Sequence, residues 1–317
     1  MSAGDRVVEP VGPAVASVGR TRRYLLDRDR VLGPVLLLPA VLYLVAVVAY
    51  PLVLAILYAF SDVTTGSQGL RFVGWSTFRA AIDDPVFGTA LRNSFLFTAI
   101  SQVCVVVLST VLALVLSADF RGKWFFRFLV LLPWTTPVAL SAVIWLWMLD
   151  SIFSPFNWLL VKLHLLARGG HVVWLGSEHL AMGSVIMLQT WRILPLATVI
   201  VMAGLSSIPQ DIRDATEVDG ARFWRRTFQI DLPLLAPVIL VALLFGVVFT
   251  FADMAVIFIL TGGAPSNGTQ VLASWAFYKG INGGNLAVGA ADAVFMFPVL
   301  LALAAIVLRF ARRSDVA

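Results

Sequence analysis

The sequence predicts an all-α integral membrane protein with six transmembrane helices. Three observations carry that expectation. Of the 317 residues, 60% are hydrophobic and only 13% are charged, with a mean hydropathy of +0.91, whereas a soluble domain averages about 45–50% apolar and about 25% charged residues. The apolar residues fall into runs that match the roughly 20 residues needed to cross a hydrocarbon core. The basic residues concentrate in alternate loops, as membrane topology demands.

Residues 1–30 form a polar, Arg-rich N-terminal tail with a short amphipathic end near Tyr24–Arg30. The uncharged run Val31–Ser61 is too long for a signal-peptide core of roughly 7–15 residues. It is expected to stay as the first span, Gly33–Phe60, kinked by Pro39 and Pro51. A polar loop over residues 61–91 leads to span two at Asn93–Leu116. A short basic loop with Arg121, Lys123 and Arg127 precedes span three, Phe128–Leu149, which carries Pro133 and Pro137. A second polar loop, 150–179, leads to span four at Leu180–Leu205. Span five is expected at Val238–Leu260 and span six at Leu286–Phe310, before the C-terminal tail 311–317. The six-helix domain is thus read as 31–310. Trp75, Trp134, Trp145, Trp147, Trp158, Trp174 and Trp275 fall near span ends or in outer loops, where indole rings anchor at the interface. No internal repeat at a fixed period is visible.

Orientation follows from the cations. With the N-terminus inside, Arg6, Arg20, Arg22, Arg23, Arg28, Arg30, Arg121, Lys123, Arg127, Arg213, Arg222, Arg225, Arg226, Arg309, Arg312 and Arg313 are cytoplasmic. Arg71, Arg79, Arg92, Lys162, Arg168 and Lys279 lie outside, and Arg192 lies within a span. Both termini are therefore expected in the cytoplasm. The net charge of +5 is explained by this topology, so it gives no reason to invoke nucleic acid. Cys104 is the one cysteine, which excludes an intrachain disulfide and a Cys-based metal site. His164, His171 and His179 share one loop without ligand-like helical spacing, so no metal site is expected.

The segment Asp214–Pro237 is a long polar interruption between two apolar runs. Asp214, Glu217, Asp219, Arg222, Arg225, Arg226 and Asp231 keep it out of hydrocarbon. The pattern predicts a short helix, a break at Gly220, and a second helix reaching Leu232–Pro233. Asp211 and Asp214 suit a helix start, Gly220 permits a sharp bend, and Ala215 and Ala221 let a partner surface approach closely. Phe223, Trp224 and Phe228 supply an apolar face for a helix-in-groove contact. Within the spans, ionisable residues are functional candidates: Arg192, Asp253 and Asp292. Arg192 either lines a polar cavity or pairs with an acidic residue to hold the bundle. Gln189 and Trp191 beside it, Asn93 and Ser94 at the start of span two, and Phe249 one helical turn from Asp253 complete the candidate path. No Gly-x-x-x-x-Gly-Lys-Ser/Thr occurs, so the chain has no phosphate-cradling loop of its own.

Asp214-Ala215, then Asp219-Gly220-Ala221, Phe228, Ile230, Leu232-Pro233 and Pro237 resemble the cytoplasmic EAA loop of bacterial ABC-importer membrane subunits. Trp191, Pro195, Ala203-Gly204-Leu205 and Ile208-Pro209 are similar to the segment before that loop in carbohydrate-importer permeases. Leu260-Thr261-Gly262-Gly263-Ala264-Pro265 is similar to their stretch after span five. Phe72-Val73-Gly74-Trp75 with Phe78 resembles the first outer loop of the maltose-type first permease subunit. The resemblance covers nearly all of residues 33–310. Its departures are Asp214 for the usual leading Glu, Thr216 for the second Ala, and Ala255 where an acidic residue often stands, with Asp253 two positions earlier.

The resemblance implies a type I ABC importer permease fold, with the coupling loop at 209–233 between helix 5 and the preceding span. The chain would be a permease and not an enzyme, binding no cofactor, with ATP and Mg held by two cytoplasmic ATP-binding subunits. A second six-span permease and an extracytoplasmic sugar-binding protein would complete the assembly in the bacterial inner membrane. The cargo expected is a di- or oligosaccharide. The alternatives are glycerol phosphate or a phosphodiester, and less favourably a stand-alone secondary transporter, which predicts inverted repeats that the sequence lacks.

Overall fold

The computed structural model describes residues 29–67 and 69–314. The tail expected over residues 1–30 lies almost wholly outside them, as do residues 315–317. All regular elements are helices, apart from an isolated antiparallel bridge between Ser61 and Phe72. The chain divides into two compact units between Val53 and Leu54.

In the first unit, α1 (Asp29–Leu44) runs into a π-helical turn (Val45–Ala49) and the start of α2 (Tyr50–Ala59). The Tyr50 N–H bonds Val45 O, one residue before Pro51. A proline ring collides with the carbonyl four residues back, and the widened turn removes that collision. The expected kink near Pro51 thus takes the form of a π turn.

The second unit contains α3 (Ser76–Ile82), α4 (Phe87–Ser117), α5 (Lys123–Thr135), α6 (Val138–Met148), α7 (Pro155–Lys162) and α8 (Glu178–Ser207). It continues with α9 (Gln210–Val218), α10 (Phe223–Arg226), a π turn (Thr227–Asp231) and α11 (Leu232–Phe251). Then follow α12 (Ala255–Leu260), α13 (Leu272–Phe277), a π turn (Tyr278–Asn282) and α14 (Leu286–Ser314). Among the described residues, five helical runs are long and apolar enough to cross a membrane: Gly33–Ala59, Phe87–Ser117, Glu178–Ser207, Phe223–Phe251 and Leu286–Ala311.

Three expectations need correction. Span three is not one helix: α5 and α6 are long and apolar enough to cross a membrane only together, and they are bent by 102°. Thr136 precedes Pro137 and is extended (φ −80°, ψ 130°), the conformation that proline imposes on its predecessor, so the helix must stop there. The second helix after Gly220 does not end at Leu232–Pro233. It passes through the π turn, where Leu232 N–H bonds Thr227 O one residue before Pro233, and runs on to Phe251. Span five therefore begins well before Val238. It also ends before Leu260, because Asp253 Oδ1 accepts the N–H groups of Ala255 at 2.8 Å and Val256 at 3.2 Å and so starts α12.

The core forms along α4, α8 and α11. Phe97, Trp145, Val185, Leu188 and Ile257 make its largest cluster. Val105, Ile193, Ala197 and Ala242 continue it, followed by Ala113, Val201, Leu205 and Leu235 toward α9. A polar contact crosses this stripe: Gln102 Nε2 donates to Thr250 Oγ1 at 2.9 Å, and Gln189 Nε2 donates to the same oxygen at 3.1 Å. Gln102 reaches Thr250 across the α11 backbone at Gly246, where an added Cβ would lie 1.9 Å from Gln102 Oε1 and 2.7 Å from its Cδ.

Replacing Gly246 with alanine should displace Gln102 and cost about 1–3 kcal/mol, the usual penalty for overpacking a tight site. Thermal unfolding of the detergent-solubilised chain measures this. Adding Gln102→Ala to Gly246→Ala should recover part of the loss; losses that simply add would break the assigned contact.

Candidate functional site

The exposed polar element is built at the end of α8. Ile208 is extended before Pro209, which closes α8 and stands at the N-cap of α9 without a capping side chain. One face of α9 turns inward: Thr216 is buried and donates to Ile212 O at 2.6 Å, and Arg213 Nη2 donates to Leu205 O at 2.6 Å. The opposite face exposes Asp211, Asp214, Ala215, Glu217 and Val218. Asp214 Oδ1 accepts the Gln210 amide at 3.0 Å. Asp219 is exposed and Ala221 half-buried. Gly220 takes φ +66°, and a Cβ there would meet nothing within 4 Å. The bend needs glycine for its backbone alone, since left-handed φ is costly for L residues.

Arg222, Phe223, Trp224 and Phe228 are exposed. Trp224 and Phe228 stack at 5.9 Å, and Phe223 meets Trp224 edge-on at 5.2 Å. These rings line an apolar groove with Val107, Val111 and Val115 of α4. They belong to the helix that continues as α11, so the separate exposed polar helix is α9. Arg225 Nε donates to Gln229 at 3.0 Å, and Arg226 pairs with buried Asp231 at 3.5 Å.

Inside the bundle, the candidates separate. Gln189 is fully buried and joined to Gln102 through Thr250. Arg192 pairs with Asp253, their side chains 12% and 7% exposed. Trp191 packs on Trp145, ring centroids 5.8 Å apart. Asn93 donates to Gly268 O at 2.8 Å and Gln270 O at 3.1 Å, and Ser94 Oγ accepts Leu272 N–H at 2.8 Å. Both residues therefore tie α4 to the segment before α13. Phe249 is 46% exposed beside Trp134, at 6.1 Å. It does not share a helical face with Asp253, which lies beyond the end of α11. Asp292 is fully buried on α14, and neither carboxylate oxygen has a hydrogen-bond partner among the described residues.

The structure adds residues that sequence reasoning passed over. Gln102 and Thr250 complete the contact with Gln189. The Oε1 atoms of Gln102 and Gln189, with the hydroxyls of Thr98, Ser101, Ser184 and Thr190, are buried without a partner among the described residues. Their signal was polar residues recurring inside apolar runs. A buried polar group without a partner is rare, and such groups are candidates for holding a polar guest. Among the described residues no group of His, Cys, Asp and Glu could hold a metal ion.

Residues 105–315 match the family model described as binding-protein-dependent transport system inner membrane component. The sulfoquinovosyl glycerol transport system permease protein SmoG of Agrobacterium fabrum is 30% identical over 93% of this chain and 95% of its own length. The trehalose/maltose transport system permease protein MalF of Thermococcus litoralis is 29% identical over 90% of this chain and 95% of its own. The sn-glycerol-3-phosphate transport system permease protein UgpA of Brucella suis is 27% identical, covering 90% and 96%. Among solved structures, a bacterial ABC transporter involved in the import of the acidic polysaccharide alginate has a chain of the same fold. Its TM-score is 0.78 at 20% identity, over 91% of this chain and 97% of that one.

Arg192→Leu and Asp253→Leu should each destabilise the chain by about 3–5 kcal/mol, because each leaves the other charge buried and unpaired. The double variant should lose less than the two singles together. Heat inactivation in detergent reads the comparison, and simple additivity would refute the pairing.

Proposed function

The chain belongs to the family of binding-protein-dependent transport system inner membrane components, and from that membership we propose how it works. It is a multi-pass membrane transport component of the ABC importer class, not an enzyme. In our reading, α5 and α6 count as one broken span, giving six spans with both termini in the cytoplasm. The chain pairs with a second six-span permease. Two cytoplasmic subunits hold ATP and Mg, and an extracytoplasmic binding protein delivers the cargo. Residues 31–310 form the permease domain, with 209–233 as the coupling loop.

The observation that carries this reading is the two-faced helix α9. Its outward face offers Asp214, Ala215 and Glu217 to an aqueous partner, while Arg213 and Thr216 face the bundle. An element held between α8 and α11 by Pro209 on one side and Gly220 on the other can transmit a push. ATP-driven closure of the partner subunits moves α9. The 30-residue helix α8 carries that motion to Gln189 and Arg192. Asp214 pairs with a basic group of the ATPase, and Asp219, Ala221, Arg222 and the Phe223–Phe228 segment form the flank of the docking surface.

The cargo we propose is a neutral di- or oligosaccharide. Gln189, Trp191 and Arg192 on α8, with Asn93, Phe249, Asp253 and Asp292, remain the proposed path residues, and Gln102 and Thr250 join them. The relatives' names include sugars and sn-glycerol-3-phosphate. Arg192, the cation that an anionic cargo would use, is already held by Asp253, which favours the sugar. Uptake into proteoliposomes by the chain alone, without its ATPase or ATP, would overturn the importer mechanism.

Gly220→Val should abolish uptake by the full transporter while membrane insertion stays normal. Gly220→Asn should retain much of it, because asparagine tolerates left-handed φ far better than a β-branched residue. Equal uptake by both variants would remove the bend from the coupling mechanism.

A further inference from the structure

Two clefts border α9 in the second unit and a third adjoins them, and their lining runs from basic to apolar. The first, about 480 Å³, is walled by Ser117, Arg127, Ser207, Pro209, Gln210 and Arg213 among others and holds no carboxylate. Neither arginine has a carboxylate partner among the described residues. Arg127 Nη2 donates to Leu116 O at 2.9 Å and Arg213 Nη2 to Leu205 O at 2.6 Å, while each buried Nε lacks an acceptor. Lys123, one turn before Arg127, is already taken by Asp119 at 2.7 Å. That hydrogen bond and charge hold the Asp119 carboxyl below the usual carboxylate range. The N-terminus of α9 opens on the same cleft without a side-chain cap, so its positive end adds to the field. Two half-buried guanidinium groups with no carboxylate in ion-pair reach among the described residues, Asp119 acting on Arg127 only at longer range, leave room for an anion, and guanidinium matches phosphate oxygens in geometry.

The third cleft is an apolar groove of about 690 Å³ between α4 and the α10–α11 helix, with Val111, Trp224, Phe228 and Ile239 in its walls. The middle cleft joins the two. It shares Ser117, Leu205 and Arg213 with the basic cleft, and Leu114, Ala118, Phe223 and Thr227 with the groove. Its own charges are Glu217, which is exposed, and Asp231, which Arg226 neutralises. A basic head cleft continuing into an apolar groove fits a molecule with one anionic head and a long apolar chain.

We propose that these clefts bind an anionic phospholipid, its phosphoryl group at Arg127 and Arg213 and an acyl chain in the α4–α11 groove. The assignment to the cytoplasmic leaflet rests on the orientation proposed above; the binding itself does not. A phosphate held by both arginines bridges α5 to α9, so the lipid would steady the helix that we assign to coupling. The inward position of Arg213 leaves the outward face of α9 free for the ATPase, and the acyl chain takes the side of the Phe223–Phe228 segment that faces α4.

Native mass spectrometry of the full-length chain tests this with phosphatidylglycerol and phosphatidylcholine of equal chain length. Wild type should retain phosphatidylglycerol about tenfold or more in preference, as two cationic groups at a membrane surface allow. Arg127→Gln/Arg213→Gln should bring the preference near unity, and Arg127→Lys/Arg213→Lys should keep most of it, which separates charge from misfolding. Val111→Trp should weaken retention of long-chain phosphatidylglycerol. Equal retention of both lipids by wild type, or an unchanged preference in the Gln variant, would overturn the proposal. Displacement of phosphatidylglycerol by millimolar inorganic phosphate would reassign the cleft to a soluble anion, and displacement by the purified ATPase would reassign it to a protein contact. None of these readouts involves transport, so their failure leaves the importer mechanism standing.

Discussion

Thr250 is the point at which α4, α8 and α11 are fixed against one another. Its single oxygen accepts one amide from Gln102 and one from Gln189. In a hydrocarbon setting the apolar faces of helices gain little by choosing one neighbour over another, so register falls to close packing and to the few polar contacts. Gly246 supplies the closeness by leaving room for Gln102. The Arg192–Asp253 pair then fixes α8 against the break between α11 and α12. The two contacts lie on neighbouring turns of α8, and both sides of the proposed cargo path depend on that helix holding its register.

The same helix explains how a distant event could reach the path. Between Ser177, whose hydroxyl accepts the Leu180 N–H, and Ser207, α8 runs without a break despite Pro195. A rigid rod of this length moves as a unit. At its α9 end the joint is tight, because Ile208-Pro209 fixes the backbone and Arg213 grips the Leu205 carbonyl. On the far side of α9 the joint is loose in a defined way, a single left-handed glycine with open space around it. A stiff joint on one side and a hinge on the other would direct displacement of α9 into α8, and α11 would follow through Thr250.

Much of this was legible in the sequence where the signal is local. Run lengths located the long apolar helices Gly33–Ala59, Phe87–Ser117, Glu178–Ser207 and Leu286–Ala311 to within a few residues, and the glycine bend at Gly220 was legible in the spacing from Asp214 to Pro237. The misses share a cause. Pro137 was visible, but one span, Phe128–Leu149, was expected across it; only the extended Thr136 before it shows that the helix stops. Asp253 was read as a side chain on a helical face, whereas its role as a cap for α12 ended that helix. The Gln102–Thr250–Gln189 contact could not be read, since its members stand 148 and 61 positions from Thr250. The tie of Asn93 to Gly268 and Gln270 could not be read for the same reason: those carbonyl partners lie 175 and 177 positions away.

The orientation of the two glutamines bears on the cargo. Each amide nitrogen is engaged at Thr250, and both carbonyl oxygens are buried without a donor among the described residues, that of Gln102 packed against the α11 backbone at Gly246. A carbonyl oxygen only accepts. A phosphate or carboxylate in its ionised form offers only acceptors in return, and acceptor facing acceptor in a low-dielectric interior is repulsive. A hydroxyl-rich molecule offers a donor to an amide such as that of Gln189 and can also accept from unpartnered hydroxyls such as that of Ser184. The charge of Arg192 is already met by Asp253, so no free cation stands at that position for an anion. That balance of donors and acceptors, rather than any single residue, is what favours a neutral sugar over a phosphorylated cargo.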